Sequence, residues 1–203
     1  MATPFLPSTR EPVLAYPGLV PSTAPAGPFT RSELEAMPED GRRYELIDGS
    51  LIVTPSPTDG HQLGLGELYL RLHAAQSALW ITILGVDYMP SDITTFVPDL
   101  LVVDRQARHR EKKAAKPELV VEILSPSTRH IDRVLKRAAF AAAGIPLYWI
   151  IDPRTPALLV LELDGDEYRE VARVQGAEPY VAERPFPVTI VPADLMVDAP
   201  PDE

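Results

Sequence analysis

The chain has 203 residues, 45% hydrophobic and 24% charged, the balance of an ordinary soluble globular protein, and its length suits one domain with tails. It contains no Cys, which excludes a disulfide framework, a thiolate metal site and a cysteine nucleophile. The net charge of −10 argues against a nonspecific nucleic-acid coat, and neither a signal peptide nor a run of transmembrane length is visible, so a cytoplasmic protein is the expectation.

Residues 1–28 are rich in Pro, Ser, Thr and Ala without a period and read as a flexible arm. Residues 29–198 read as a single domain, and residues 199–203 as a tail. Thr30 to Met37 reads as a short helix, with Thr30 and Glu33 as a capping box and Pro38 as its stop. Arg43 to Thr54 reads as a β-hairpin, because Asp48-Gly49 is a preferred dipeptide for a two-residue type I′ turn. His61 to Ser77 carries Leu65, Leu68, Leu72 and Ala75 at helical spacing. Trp80 to Leu84 reads as a strand.

Two apolar runs follow, Val97 to Asp104 and Pro117 to Ser125, joined by a basic connection. Their β-branched content and their Pro and polar boundaries predict buried strands. Each carries a carboxylate, Asp99 at the start of the first and Glu122 inside the second. An ionised carboxylate in an apolar run is costly unless it is paired or binds a cation. Between Arg105 and Arg137 ten basic residues face four acidic ones, a positive segment inside an acidic protein. Lys112, Lys113, Arg129 and Arg133 in that segment are candidates for meeting a polyanion, and a solvated loop and helix face is the other reading.

Ile131 to Ala143 reads as a helix with Arg133, Lys136 and Arg137 on one side and with Val134, Leu135, Ala138 and Ala142 as its apolar surface; Gly144 is its natural stop. Leu147 to Ile151 is a third apolar strand. A second hairpin runs from Ala157 to Val174 across Asp164-Gly165, and its Leu158, Val160 and Leu163 offer surface for a homodimer. Phe186 to Val191 reads as a last short strand. The central order is helix, strand, strand, strand, helix, strand, which predicts an α/β fold with a mixed sheet and helices on its faces.

An α-β-β-β-α-β core with Pro98-Asp99 at one strand and Glu122 on the next resembles the PD-(D/E)xK nuclease superfamily, whose fold is restriction-endonuclease-like. Within it, Tyr44 to Gly49, Pro98-Asp99, Val121 to Thr128, Asp132 with Lys136, and Gly144 to Pro153 look like the Uma-type bacterial restriction endonucleases. Each piece is short, but five in this order are specific, and the likeness spans about Thr30 to Asp194. The resemblance implies a Mg²⁺-dependent endonuclease, with Mn²⁺ as a substitute, acting on DNA. The rivals are a catalytically silent DNA-binding or interaction domain, and a phosphodiesterase acting on RNA or a small nucleotide.

The chemistry agrees with that implication. Phosphodiester hydrolysis needs an activated water and a clamp on developing negative charge, and a divalent ion held by carboxylates supplies both. Mg²⁺ takes oxygen ligands and keeps several waters, so Asp99 and Glu122 on adjacent strands suffice with one carbonyl, which the superfamily places at Ile123. The superfamily's Lys is expected two residues after Glu122, where Leu124 stands; the Uma-type pattern resembles a migrated version with Lys136 in that role. Glu45 is either a third acid of the site or an exposed strand position. Glu67 on the first core helix is a supporting acid or a solvated residue. His61 is a general base, a phosphate contact or a helix-start polar residue. Asp132 orients Lys136, while Ser125, Ser127 and Thr128 donate to phosphate or cap the next helix.

Overall fold

A computed structural model describes residues 27–125 and 129–196; nearly all of the proposed arm, Ser127 and Thr128, and the tail lie outside them. The described chain opens with α1 (Arg31–Glu35), where the Glu33 carboxylate accepts the Thr30 backbone N–H at 2.8 Å. β1 (Arg43–Ile47) and β2 (Ser50–Thr54) form the expected hairpin. Asp48 and Gly49 hold φ of 48° and 74°, as a type I′ turn requires. A Cβ at position 49 would stand 2.3 Å from that of Pro28, so Gly49 is required by space as well.

α2 (Asp59–Ala75) starts at Thr58, whose hydroxyl accepts the His61 N–H at 3.3 Å. β3 (Trp80–Leu84) follows. The sequence reading then misses a small hairpin, β4 (Tyr88–Ser91) and β5 (Thr94–Phe96). β6 (Leu100–Asp104) is the first central strand. The connection after it is α3 (Arg105–Glu111) and a 3₁₀ turn at Lys112–Ala114. α3 buries none of its residues, so no apolar stripe announced it; its one local signal is Asp104, whose carboxylate accepts the Ala107 N–H at 2.7 Å.

β7 (Leu119–Ile123) is buried at every residue. The next helix begins as a π-helical turn, Ile131–Lys136, and continues as α4 (Arg137–Ala142) to Gly144, at φ 68°. β8 (Leu147–Asp152), β9 (Ala157–Asp164) and β10 (Glu167–Gln175) complete the large sheet, and β11 (Tyr180–Ala182) pairs with β12 (Val188–Ile190).

The large sheet has the order β10-β9-β8-β7-β6-β3 and is mixed: β7 and β8 run parallel and the other pairs antiparallel. The α-β-β-β-α-β series is α2, β3, β6, β7, α4 and β8, with β4, β5 and α3 inserted into it. A smaller sheet, β2-β1-β5-β4, carries the first hairpin. Leu65, Leu68 and Leu72 of α2 pack with Leu100, Val102, Val121 and Trp149 on one side of the large sheet. Leu101, Val103, Val120, Tyr148 and Ile150 pack with Phe140 of α4 and with Ile47, Ile52 and Phe96 of the small sheet on the other. Phe140 sits edge-on to Phe96 at 4.8 Å and to Tyr148 at 5.0 Å, which ties α4 to both sheets.

Two expectations are corrected. The helix after β7 turns its apolar residues outward: Val134 is 55% and Leu135 40% exposed, and Ala138 and Ala142 are also exposed. Its buried stripe is Asp132, Lys136 and Phe140, four residues apart, which sets the Lys136 ammonium against Glu122 and Glu45. In the second hairpin, Leu158 and Val160 belong to the core and offer no surface to a second chain. Among the described residues no helix is long and apolar enough to cross a membrane.

Candidate active site

The pairing of β6 with β7 places Leu100 opposite Val121, so one step outward Asp99 stands opposite Glu122. Side chains alternate along a strand, and both carboxylates therefore point to the side of Leu101, Val120 and α4. The same alternation on β1 sends Arg43 and Glu45 to one face. Glu45 binds its sheet to the approach of β6 by accepting the Val97 N–H at 2.8 Å. The first turn of α2 brings in His61, and the π-helical turn brings Asp132 and Lys136. Arg43, Glu45, His61, Asp99, Glu122, Ile123, Ser125, Asp132 and Lys136 line one cavity of about 250 Å³, with residues 54–58 forming another wall.

Four carboxylates and two fixed cations meet here, all but Arg43 buried to 3% exposure or less. The Lys136 ammonium lies 2.8 Å from Glu122 Oε1, 3.0 Å from Glu45 Oε2 and 3.7 Å from Asp132 Oδ1. Its approach to Glu45 lacks hydrogen-bond geometry, so Oε2 is buried with charge nearby and no donor aimed at it. Asp99 is better served: Arg43 Nη1 donates to Oδ1 at 2.8 Å, and His61 Nε2 and the Ile123 N–H donate to Oδ2, each at 2.9 Å. The Tyr148 hydroxyl donates to the Asp132 carbonyl at 3.0 Å and steadies the wide turn that presents Lys136.

The charge balance sets the protonation. Burial alone would raise the Asp99 carboxyl, but the hydrogen bond and charge of His61 and the Arg43 guanidinium hold it well below the usual carboxylate range. Burial pushes the Glu122 carboxyl well above that range; Lys136 opposes this, while Asp99, Asp132 and Glu45 add to it. Burial likewise favours a neutral Lys136, yet Glu122, Glu45 and Asp132 keep it protonated and far above an ordinary lysine. Lys136 faces three carboxylates, whereas Glu122 faces one ammonium and three rival carboxylates.

A divalent cation fits this donor set in kind and in charge. The groups are hard oxygen donors, and they exceed the chain's own cations. Among the described residues no three His, Asp or Glu side chains are already spread around an ion position, since Arg43, His61 and Lys136 stand among the carboxylates.

The structure brings together Asp99, Glu122, Ile123, Lys136, Glu45, His61 and Asp132 from the sequence reading. Leu124, in the place of the superfamily's Lys, is buried in the core. Glu67 stays apart, paired with Arg71 at 3.5 Å along α2. Arg129 meets Asp152 of β8 in a two-pronged pair, at 2.6 and 2.8 Å, and Arg133 reaches the same carboxylate at 3.6 Å. Lys113 pairs with Asp87. Lys112 follows α3 and opens the 3₁₀ turn, and it does not line the cavity. Arg43 is the charged cavity residue that sequence reasoning missed. It had one signal, its place two residues before Glu45 on a strand, and nothing to reveal a partner at position 99.

Residues 31–195 match the Uma2 family, described as "Putative restriction endonuclease". Among solved structures the chain is similar to a protein from Anabaena variabilis, titled a putative nuclease belonging to DUF820; the two are 21% identical, the likeness covers 83% of this chain and 98% of that one, and the TM-score is 0.62. Identity at that level speaks for the fold. No match was found among curated proteins.

Proposed function

The chain belongs to the Uma2 family, and from that premise we propose that it is a Mg²⁺-dependent nuclease, with Mn²⁺ as a substitute, that hydrolyses phosphodiester bonds in DNA. The observation that carries this reading is the carboxylate surplus around Asp99 and Glu122, buried at the ends of adjacent strands. Asp99 and Glu122, with the Ile123 carbonyl, would hold the ion, which when bound supplies Lewis-acid charge and an acidified water. Lys136 orients the attacking water and faces the negative charge that develops on the phosphoryl oxygens. Glu45 and Asp132 hold that ammonium in place, and His61 fixes the Asp99 carboxylate.

Leu124 leaves the usual Lys position apolar, and the 2.8 Å contact from Lys136 to Glu122 supports the migrated lysine as its replacement. The exposed sides of Arg129 and Arg133 would face the DNA backbone, and Lys112 and Lys113 would contact it farther along. Cutting both strands would take two chains about a two-fold axis, which light scattering reports as twice the mass of one chain.

The test is incubation of the protein with duplex DNA, single-stranded DNA and RNA, with Mg²⁺, with Mn²⁺ and with chelator. Metal-dependent cleavage of DNA that is lost in Glu122→Gln supports the reading. Cleavage of RNA alone, or cleavage that survives the chelator, overturns it.

A further inference from the structure

Arg43 and Lys136 are the two permanently charged cations lining the cavity, and they are placed very differently. Lys136 is 3% exposed and already surrounded by three carboxylates. Arg43 is anchored through a single nitrogen: Nη1 donates to Asp99 Oδ1 at 2.8 Å and to the Val97 carbonyl at 3.3 Å. Its Nε and Nη2 donate to nothing within the described residues and are not sealed from solvent, and the side chain is 27% exposed. Arg43 also lines a second cavity, of about 360 Å³, together with Leu34, Met37, Tyr44, Met89 and Lys113. It therefore forms part of the wall between the two.

We infer that Arg43 is the residue that grips the substrate, binding the non-bridging oxygens of a backbone phosphate through its Nε and Nη2 edge. This rests on the nuclease reading of the same site. A guanidinium presents parallel N–H groups that match two phosphate oxygens, and an ammonium does not. Anchoring Nη1 on Asp99 holds the planar fork still, so less side-chain entropy is lost when phosphate arrives. The cavity is otherwise rich in carboxylates and repels a phosphate diester. A donor pair left open within the described residues is what Arg43 adds to that surrounding, whereas the Lys136 ammonium is buried among three carboxylates. A strand with one phosphate on Arg43 has the catalytic cavity on one side of it and the second cavity on the other.

The test is equilibrium binding of a fluorescein-labelled DNA oligonucleotide in Ca²⁺, measured across a salt series for the parent, Arg43→Gln and Arg43→Lys. Tryptophan emission, to which the fully buried Trp149 and the half-buried Trp80 both contribute, reports that each variant is folded. Arg43→Gln is expected to weaken binding about tenfold or more and to lower the slope of log K against log salt by about one phosphate contact. Arg43→Lys is expected to restore the slope but not the affinity, because it keeps the charge and loses the fork. A parent that binds in Ca²⁺ yet cleaves nothing in Mg²⁺ defeats the nuclease reading and leaves Arg43 to be judged on binding. Arg43→Gln with the parent's affinity and slope overturns the inference. So does Arg43→Lys with the parent's affinity, which decides the matter if Arg43→Gln does not fold, and so does a parent that binds no oligonucleotide.

Discussion

Neighbouring strands β7 and β8 end in two charged clusters built on opposite arithmetic. At Glu122 four carboxylates share Lys136 and Arg43; at Asp152 one carboxylate receives Arg129 and Arg133. Both central acids are buried, and both clusters draw cations from the chain after β7. Burial would raise the Asp152 carboxyl, but the hydrogen bonds and charge of Arg129, helped by Arg133, hold it low. Glu122 is pushed the other way by burial and by its carboxylate neighbours. The Asp152 cluster is complete in itself and pins the start of the helix to the sheet. The Glu122 cluster is left short of positive charge, which the proposed cation would supply. Burial is common to the two central acids; the clusters differ in the count of cations around them.

The comparison breaks most visibly at Lys136. Lys136→Met should lower the cleavage rate by about 10²–10³ and reduce stability to urea by about 3–5 kcal/mol, because Glu45 and Glu122 then face one another unpaired. Adding Glu122→Gln should recover part of the stability and none of the activity. An equally stable, fully active Lys136→Met would remove the ammonium from both roles.

The second prediction concerns pH. A carboxyl whose folded pKa is raised contributes stability below its ordinary value of 4.5, and that contribution is lost as pH rises through the folded value. Metal-free protein should therefore lose stability from about pH 4.5 upward, and Mg²⁺ or Glu122→Gln should flatten the slope. Asp152 has a lowered pKa, so its contribution is present above 3.8 and is lost only as pH falls below that. Thermal unfolding across pH checks both signs.

Smaller effects belong to the self-sufficient cluster. Asp152→Asn should cost about 1 kcal/mol, since Arg129 and Arg133 keep access to water, and should leave divalent-cation affinity unchanged. Glu170→Ala, which breaks an exposed pair with Arg173 at 2.8 Å, should stay within about 0.5 kcal/mol and calibrates the series.

Much of this was legible in the chain. Asp99 and Glu122 interrupt apolar strands where a carboxylate needs a reason, and Asp48-Gly49 announces its turn locally. α3 was not legible, because a helix that buries nothing carries no stripe. The β4–β5 hairpin holds Pro90 and only short strands, so alternation had no length over which to show. The helix after β7 misled for a physical reason: apolar Val134 and Leu135 would ordinarily face inward, but Lys136 pairs with Glu122 and Glu45, and Asp132, four residues earlier on the same stripe, is buried with it. Arg43 and the Asp152 cluster depend on partners nineteen or more residues away, and a single sequence gives such pairs no local mark.

The central claim is that the Glu122 cluster takes a divalent cation and the Asp152 cluster does not. Mn²⁺ titration followed by electron paramagnetic resonance tests it directly on the parent, Glu122→Gln, Asp99→Asn and Asp152→Asn. One bound ion in the parent and in Asp152→Asn, lost in Glu122→Gln and Asp99→Asn, is the predicted result. Equal Mn²⁺ binding in the parent and Glu122→Gln, or none in the parent, would contradict it.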